Sequence, residues 1–227
     1  MRKQLSAETL DVGLYVLPRG TLWSALLAAL RQARKARRPR ARGTDRRGQI
    51  SHMTPMAARP AEVATRTVPG HWEGDLLKGA RNGSAVGNLV ERTTRLVLLA
   101  RMDGTDATSA REGFTKKLRH VPAPLRKTLT YDRGKEMAEQ ERLAQRLAIQ
   151  VFFADPYSPW QRGTNEHTNG LLRQYLPKGT DVSGYTQCEL NVIAHRLNTR
   201  PRKCLHFATP LEVYAQLRHY SPGALGS

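Results

Sequence analysis

Cysteine is nearly absent from the 227-residue chain, which has only Cys188 and Cys204. The two form no C-x-x-C pair and have no histidine at finger spacing, so a zinc site is disfavoured and both read as free thiols in a reducing compartment. Long apolar runs are also missing. The stretch Leu22–Leu30 is too short to span a bilayer, and its basic residues follow it instead of leading it. It therefore makes a poor anchor and a poor signal peptide, and a cytoplasmic location is expected. No internal repeat is visible. Acidic residues are scarce, 19 against 37 Lys and Arg, for a net charge of +18. That imbalance favours a polyanionic partner: DNA, RNA or an acidic membrane surface. Hydrophobic residues make up 39% and charged residues 25%, a globular balance with length for one sizeable core and a smaller appendage.

The chain divides unevenly. Residues 1–30 hold one amphipathic helical pattern, Thr21–Arg31, with Leu22, Leu26, Ala29 and Leu30 on one side. From Arg31 to Arg47, nine Arg or Lys fall in seventeen residues with a single acid, Asp45, and Pro39 and Gly43 break any helix. Basic arms of this kind bind nucleic acid through phosphate contact and counterion release. Arg34, Lys35, Arg37, Arg38, Arg40 and Arg42 are the candidate contacts. Residues 31–69 are thus expected as a basic, Pro-containing linker, 70–220 as the compact core and 221–227 as a tail.

Within the core, strands are predicted at Trp72–Leu77, Ala85–Glu91, Arg95–Met102, Leu125–Asp132 and Gln150–Ala154, the second and third joined by a hairpin through Thr93 and Thr94. Helices are predicted at Asp106–Val121, Met137–Ala148, Gly163–Leu176 and Thr186–Asn198. A last helix starts at Thr209, where T-P-L-E is a capping box with proline at the first helical position. Three strands followed by alternating helix and strand imply an α/β fold: a five-stranded mixed sheet flanked by helices.

Three acids stand out. Alternation in the first strand puts Glu73 and Asp75 on one face, where buried carboxylates need a metal ion or an arginine partner. The residues alone do not choose between these two compensations. Asp132 ends L-T-L-T-Y-D with Gly134 just beyond, at the carboxyl edge of the sheet where ligand sites gather, although an Asp there also suits a turn. Glu166 falls in the first turn of a helix, which suits either capping or an ionised ligand, with Asn169 and Arg173 on the same face. A strand, a strand end and a helix that each offer one carboxylate can hold two divalent ions. On so basic a chain, such a site reads as phosphodiester chemistry on DNA.

Several blocks carry a family resemblance: G-H-W-E-G-D-L (70–76), L-V-E-R-T-T-R (89–95), L-T-Y-D-R-G-K-E-M-A (129–138), S-P-W-Q-R-G-T-N-E (158–166), N-G-L-L-R-Q-Y-L-P-K-G-T (169–180) and L-N-T-R-P-R-K (197–203). From Arg31 to the C-terminus the chain resembles bacterial insertion-sequence transposases of the IS-thirty family, which share the retroviral-integrase core. The resemblance implies an RNase H-like fold. It also implies that Asp75, Asp132 and Glu166 form the catalytic acid triad, with Glu73 a non-catalytic neighbour. The implied cofactor is a pair of Mg²⁺ ions, with Mn²⁺ as a substitute, roughly 3.5–4 Å apart. The implied reaction is hydrolysis at element ends followed by 3′-hydroxyl strand transfer into target DNA. Implied partners are double-stranded DNA, both element end and target, and further copies of the chain on that DNA in the bacterial nucleoid; no membrane is involved. Lys135, Arg162, Asn165, Asn169, Arg173, Lys178, Arg200, Arg202 and Lys203 are candidate DNA contacts. Two other readings are a truncated, non-catalytic DNA-binding fragment and an RNase H-like nuclease.

The chain departs from the family pattern in three places. Only residues 1–30 precede the basic arm, where the family carries helix-turn-helix units. His167 follows Glu166 where asparagine is usual. His206 replaces a usual glycine, which predicts a strained turn before Thr209.

Overall fold

Strand β1, His71–Lys78, is the centre of the molecule. In the computed structural model, which describes residues 20–22, 24–25, 50, 52–155 and 158–219, β1 pairs antiparallel with β2 (Ala85–Glu91) and parallel with β4 (Thr128–Tyr131). Beyond them lie β3 (Val97–Arg101), antiparallel to β2, and β5 (Gln150–Phe153), parallel to β4. The order is β3-β2-β1-β4-β5, the five-stranded mixed sheet expected. Helix α1 (Ala107–Leu118) links β3 to β4, and α2 (Gln140–Leu147) links β4 to β5. They are followed by α3 (Gly163–Leu172), α4 (Gln187–Asn198) and α5 (Pro210–His219).

Alternation sorts the sheet into two apolar faces. Trp72, Leu76, Leu89, Leu129 and Phe153 pack with Phe114 and Leu118 of α1 and Leu143 and Leu147 of α2. On the opposite face Leu77, Val86, Val90, Val97 and Leu99 pack with Leu171 and Leu172 of α3 and Leu190, Ile193 and Leu197 of α4. Odd-numbered β1 residues therefore look toward α3, which fixes the direction of Glu73 and Asp75. Gly74 looks the other way. A β-carbon there would meet Tyr131 Cδ2 at 2.8 Å, so the Tyr131 ring needs a glycine beside it.

Boundaries shift where local chemistry intervenes. Strand β3 starts at Val97 because Arg95 turns the chain with φ +63°. Strand β4 starts at Thr128 because Ala123–Leu125 forms a 3₁₀ turn after Pro122. Helix α3 ends at Leu172, short of the expected Leu176. The segment before Gly70, expected as linker, touches the core: Val63 is fully buried, Pro55 bridges Phe153, and the Phe153 N–H donates to Thr54 O at 2.9 Å. By contact density the chain splits into residues 1–44 and 45–227, and everything that follows lies in the second unit. Most of the predicted Thr21–Arg31 helix lies outside the described residues.

Caps follow the sequence. Thr209 Oγ1 accepts from the Glu212 N–H at 3.2 Å, and Glu212 Oε2 accepts from the Thr209 N–H at 2.8 Å. Helix α4 opens on a second box: Thr186 Oγ1 accepts from Glu189 N–H at 3.2 Å, and Glu189 Oε2 accepts from Thr186 N–H at 2.8 Å. Thr186→Ala should cost about 1 kcal/mol in urea denaturation, and an unchanged midpoint would show that α4 needs no cap. The turn at 206 adopts the conformation expected to strain it, with His206 at φ +52° and Phe207 at +67°.

The outer edge of β3 is closed by α4. Asn198 Oδ1 accepts from the Val97 N–H and its Nδ2 donates to Val97 O, both at 2.8 Å. Gln187 Nε2 donates to Leu99 O and its Oε1 accepts from the Arg101 N–H, both at 3.0 Å.

Candidate active site

Glu73 and Asp75 share a face but have different surroundings. Glu73 is fully buried and ion-paired through Oε1 with Arg92, which is itself buried just beyond β2. Its Oε2 accepts from the Asn165 N–H at 2.8 Å. That amide belongs to the first turn of α3, where backbone donors lack helical partners. Glu73 thus neutralises an arginine and anchors the start of α3 on β1. Of the two compensations left open by the sequence, Glu73 takes the arginine.

Asp75 is three-quarters buried, its side chain 24% exposed. Its Oδ2 accepts from Asn169 Nδ2 of α3 at 2.7 Å, and its Oδ1 accepts from the Leu76 N–H at 2.9 Å. Desolvation drives its pKa up from 3.8 to about 6; the Arg162 charge opposes this and the Asp132 charge adds to it. Asp132 lies one residue past β4, at the carboxyl edge of the sheet, and accepts from the Gly134 N–H at 3.1 Å. A single guanidinium joins the two aspartates: Arg162 stands 3.8 Å from Asp75 Oδ1 and 3.5 Å from Asp132 Oδ2. Residues 57 positions apart in sequence therefore share one cation.

Glu166 sits in the first turn of α3, exposed, and no hydrogen bond or ion pair links it to the described residues. Asn169, three residues on and so on the same helical face, holds Asp75. Among the described residues no three His, Cys, Asp or Glu side chains are arranged to hold a metal ion. Two of the three expected carboxylates meet at Arg162, and the third lies on the helix that holds Asp75 through Asn169.

The remaining candidates separate by burial. Asn165, expected as a DNA contact, is 1% exposed, and its Oδ1 accepts from Asn88 Nδ2 at 2.6 Å, so its side chain packs against β2. Asn169 uses both ends of its amide, on Asp75 and on Asn88. Arg162 faces the two aspartates. Arg173 is half-buried; desolvation lowers its pKa, the Asp75 charge opposes this, and it donates to Leu176 O at 3.2 Å. Arg200 donates to the Tyr175 hydroxyl at 2.7 Å and lies 6.0 Å from that ring centroid. Arg202 donates to Leu197 O at 3.1 Å. Lys135, Lys178 and Lys203 are exposed. Arg34, Lys35, Arg37, Arg38, Arg40 and Arg42 lie outside the described residues, as does the Trp160 side chain.

Sequence reasoning missed Asn88 and Glu91. Asn88 pairs across from Asp75 and donates to Asn165 and Asn169. An asparagine inside A-V-G-N-L-V-E, an otherwise apolar strand, was the available signal. Glu91 is buried and accepts from the N–H groups of Gly70, His71, Thr93 and Thr94 and from the Thr94 hydroxyl. It pins the β2–β3 turn to the start of β1.

Comparison with known proteins bears on the fold and the family. Residues 65–159, which include Asp75 and Asp132, match the integrase core domain model. The transposase for insertion sequence element IS1086 of Cupriavidus metallidurans is 59% identical over 94% of this chain and 63% of that protein. Transposase InsI for insertion sequence element IS30A of Escherichia coli is 42% identical over 92% of this chain and 55% of that protein. The chain thus spans less than two thirds of the length of these curated relatives. Among solved structures, a chain of the simian T-cell lymphotropic virus intasome in complex with PP2A regulatory subunit B56 gamma superimposes with TM-score 0.52 at 21% identity, over 70% of this chain and 57% of that one. That likeness concerns the fold, which is RNase H-like. No helix among the described residues is long and apolar enough to cross a membrane. With a sequence this close to two insertion-sequence transposases, and an integrase core matched across β1 to β5, the chain belongs to the IS-thirty family of transposases.

Proposed function

We propose that the chain is the catalytic core of a DNA transposase that cleaves a phosphodiester at an element end and joins the freed 3′-hydroxyl to target DNA. The observation that supports it best is the meeting of Asp75 and Asp132 at one guanidinium, with α3 tied to the same aspartate through Asn169. The donor set suits a hard divalent cation: all candidate ligands are carboxylate oxygens, and burial leaves the Asp75 charge poorly compensated. Asp75, Asp132 and Glu166 would hold Mg²⁺ or Mn²⁺. Bound there, such ions activate the attacking oxygen and stabilise the leaving one.

The chain's own residues supply placement. Glu73 and Asn169 hold α3, the helix that carries Glu166, against β1. The Asn169 amide, donating to Asp75 Oδ2, aims the other oxygen of that carboxylate away from α3. Arg162 holds the two aspartates together and is placed to take a phosphate oxygen of the substrate once their charge is met otherwise. Water attacks phosphorus and the 3′-oxygen leaves; in the joining step that 3′-oxygen attacks a target phosphorus. Neither step needs a serine or tyrosine nucleophile.

Nicking of an element-end duplex with Mg²⁺ tests this reading. Asp132→Asn should slow cleavage at least about 10³-fold, with DNA binding retained and chelator sparing that binding. Undiminished cleavage in the variant would overturn the site. The exposed position of Glu166 favours a second reading, a DNA-binding fragment without chemistry. Salt-sensitive binding with no cleavage by the unaltered chain would select it.

A further inference from the structure

A second site lies along α3. A cavity of about 240 Å³ is lined by Arg66, Arg95, Arg202, Thr164, His167 and Cys204, with no carboxylate in its wall. Three arginines converge there from three separate parts of the chain: the turn after Val63, the β2–β3 hairpin and the segment after α4. Arg66 and Arg95 take part in no ion pair among the described residues, and Arg95 is held in place by donating to Thr164 Oγ1 at 2.8 Å. Their charges crowd Arg92, whose pKa is lowered first by burial and then by Arg66 and Arg95, against the pull of Glu73. Like charges assembled this closely repel unless an anion joins them. Thr164 also belongs to the first turn of α3, a ten-residue helix whose positive end faces the cavity wall. Guanidinium groups around a helix start form a phosphate-recognition set, with planar donors and a favourable dipole.

We propose that this cavity binds a backbone phosphate of the DNA, so that α3 has one flank on the carboxylates and the other on the strand that passes them. The site is distinct from the triad. Its residues include His167, the departure from the family pattern, which here lines a phosphate pocket. The proposal rests on the reading of the chain as a DNA-acting core. Neither of its readouts needs cleavage, so the two can fail separately.

Two measurements test it. The first compares duplex binding across a KCl series for the unaltered chain and the Arg66→Asn/Arg95→Asn double variant; asparagine tolerates the left-handed backbone at both positions. Each phosphate contact contributes about 0.9 to the slope of log K against log salt, so the double variant should lose about 1 in slope. An unchanged slope in a folded variant overturns the proposal. The second uses the two exposed cysteines. Duplexes carrying a disulfide-activated tether on one backbone phosphate should cross-link to Cys204 at least about tenfold faster than to Cys188, an effect the arginine variant abolishes and Cys204→Ser eliminates. Equal rates at the two thiols overturn it. Inorganic phosphate distinguishes the source of the anion. If it slows alkylation of Cys204 while DNA neither cross-links nor changes slope, the pocket takes free phosphate and the assignment to DNA fails.

Discussion

Asp75→Asn is expected to make the metal-free protein more stable near neutral pH while abolishing its cleavage of DNA. The cause is the burial that lifts the Asp75 pKa from 3.8 to about 6. A carboxyl with a folded pKa above its unfolded value binds more protons when folded. Stability is therefore lost as pH rises from about 4 to about 6 and stays at the lower level above that. At roughly 1.4 kcal/mol per pH unit, the ionised carboxylate costs about 2–3 kcal/mol. Asparagine keeps the shape and an acceptor for the Leu76 N–H without the charge, at the loss of the acceptor for Asn169 Nδ2, which takes back part of the gain. Urea denaturation at pH 4 and pH 7.5 should show the variant gaining on the unaltered chain only at the higher pH. A variant less stable at pH 7.5, or a difference that does not change with pH, would refute the account. The same reasoning makes divalent cation binding stabilising above pH 6, where the cation meets a charge the fold leaves exposed to repulsion.

The opposite sign is expected two residues earlier. Glu73→Ala should destabilise the protein by about 3–5 kcal/mol, because Arg92, 4% exposed, would be left buried without its counterion. The loss extends to α3, whose Asn165 N–H would lose its acceptor. Glu73→Gln should be milder on that count, since a side-chain oxygen remains for Asn165. Denaturation midpoints together with hydrogen exchange at the first turn of α3 measure both parts. A loss below about 1 kcal/mol, with exchange unchanged, would show that Glu73 does not anchor the helix. Two acids with one residue between them thus oppose each other: one stabilises the fold, and the other, the proposed metal ligand, weakens it.

That contrast shows what the sequence could and could not express. Alternation correctly grouped Glu73 with Asp75, because side-chain direction in a strand is a local property. Which acid meets an arginine depends on strand register and on where the chain turns after β2, and no local pattern encodes that. The family blocks singled out Asp75, but the reason, Arg92 folding back onto Glu73, is visible only in three dimensions. Capping boxes were legible for the opposite reason: the Thr209 and Glu212 interaction closes within three residues. The β3 start was not, since it hinges on Arg95 adopting a left-handed turn. Asn165 looked like a polar residue beside a site and is a buried amide, because α3 docks through its first turn. The arginine cavity draws on three distant segments, and of its three arginines only Arg202 stood out in the sequence.

The amides of Asn198 and Gln187 have a consequence for assembly. By taking both outward groups of Val97, the Leu99 carbonyl and the Arg101 N–H, they leave that border of the sheet little to offer a foreign strand. That border is a poor place for a second copy of this chain to add a strand. Contacts between copies would have to come from helical surfaces or from segments outside the sheet, which keeps the protein from templating its own aggregation on that side.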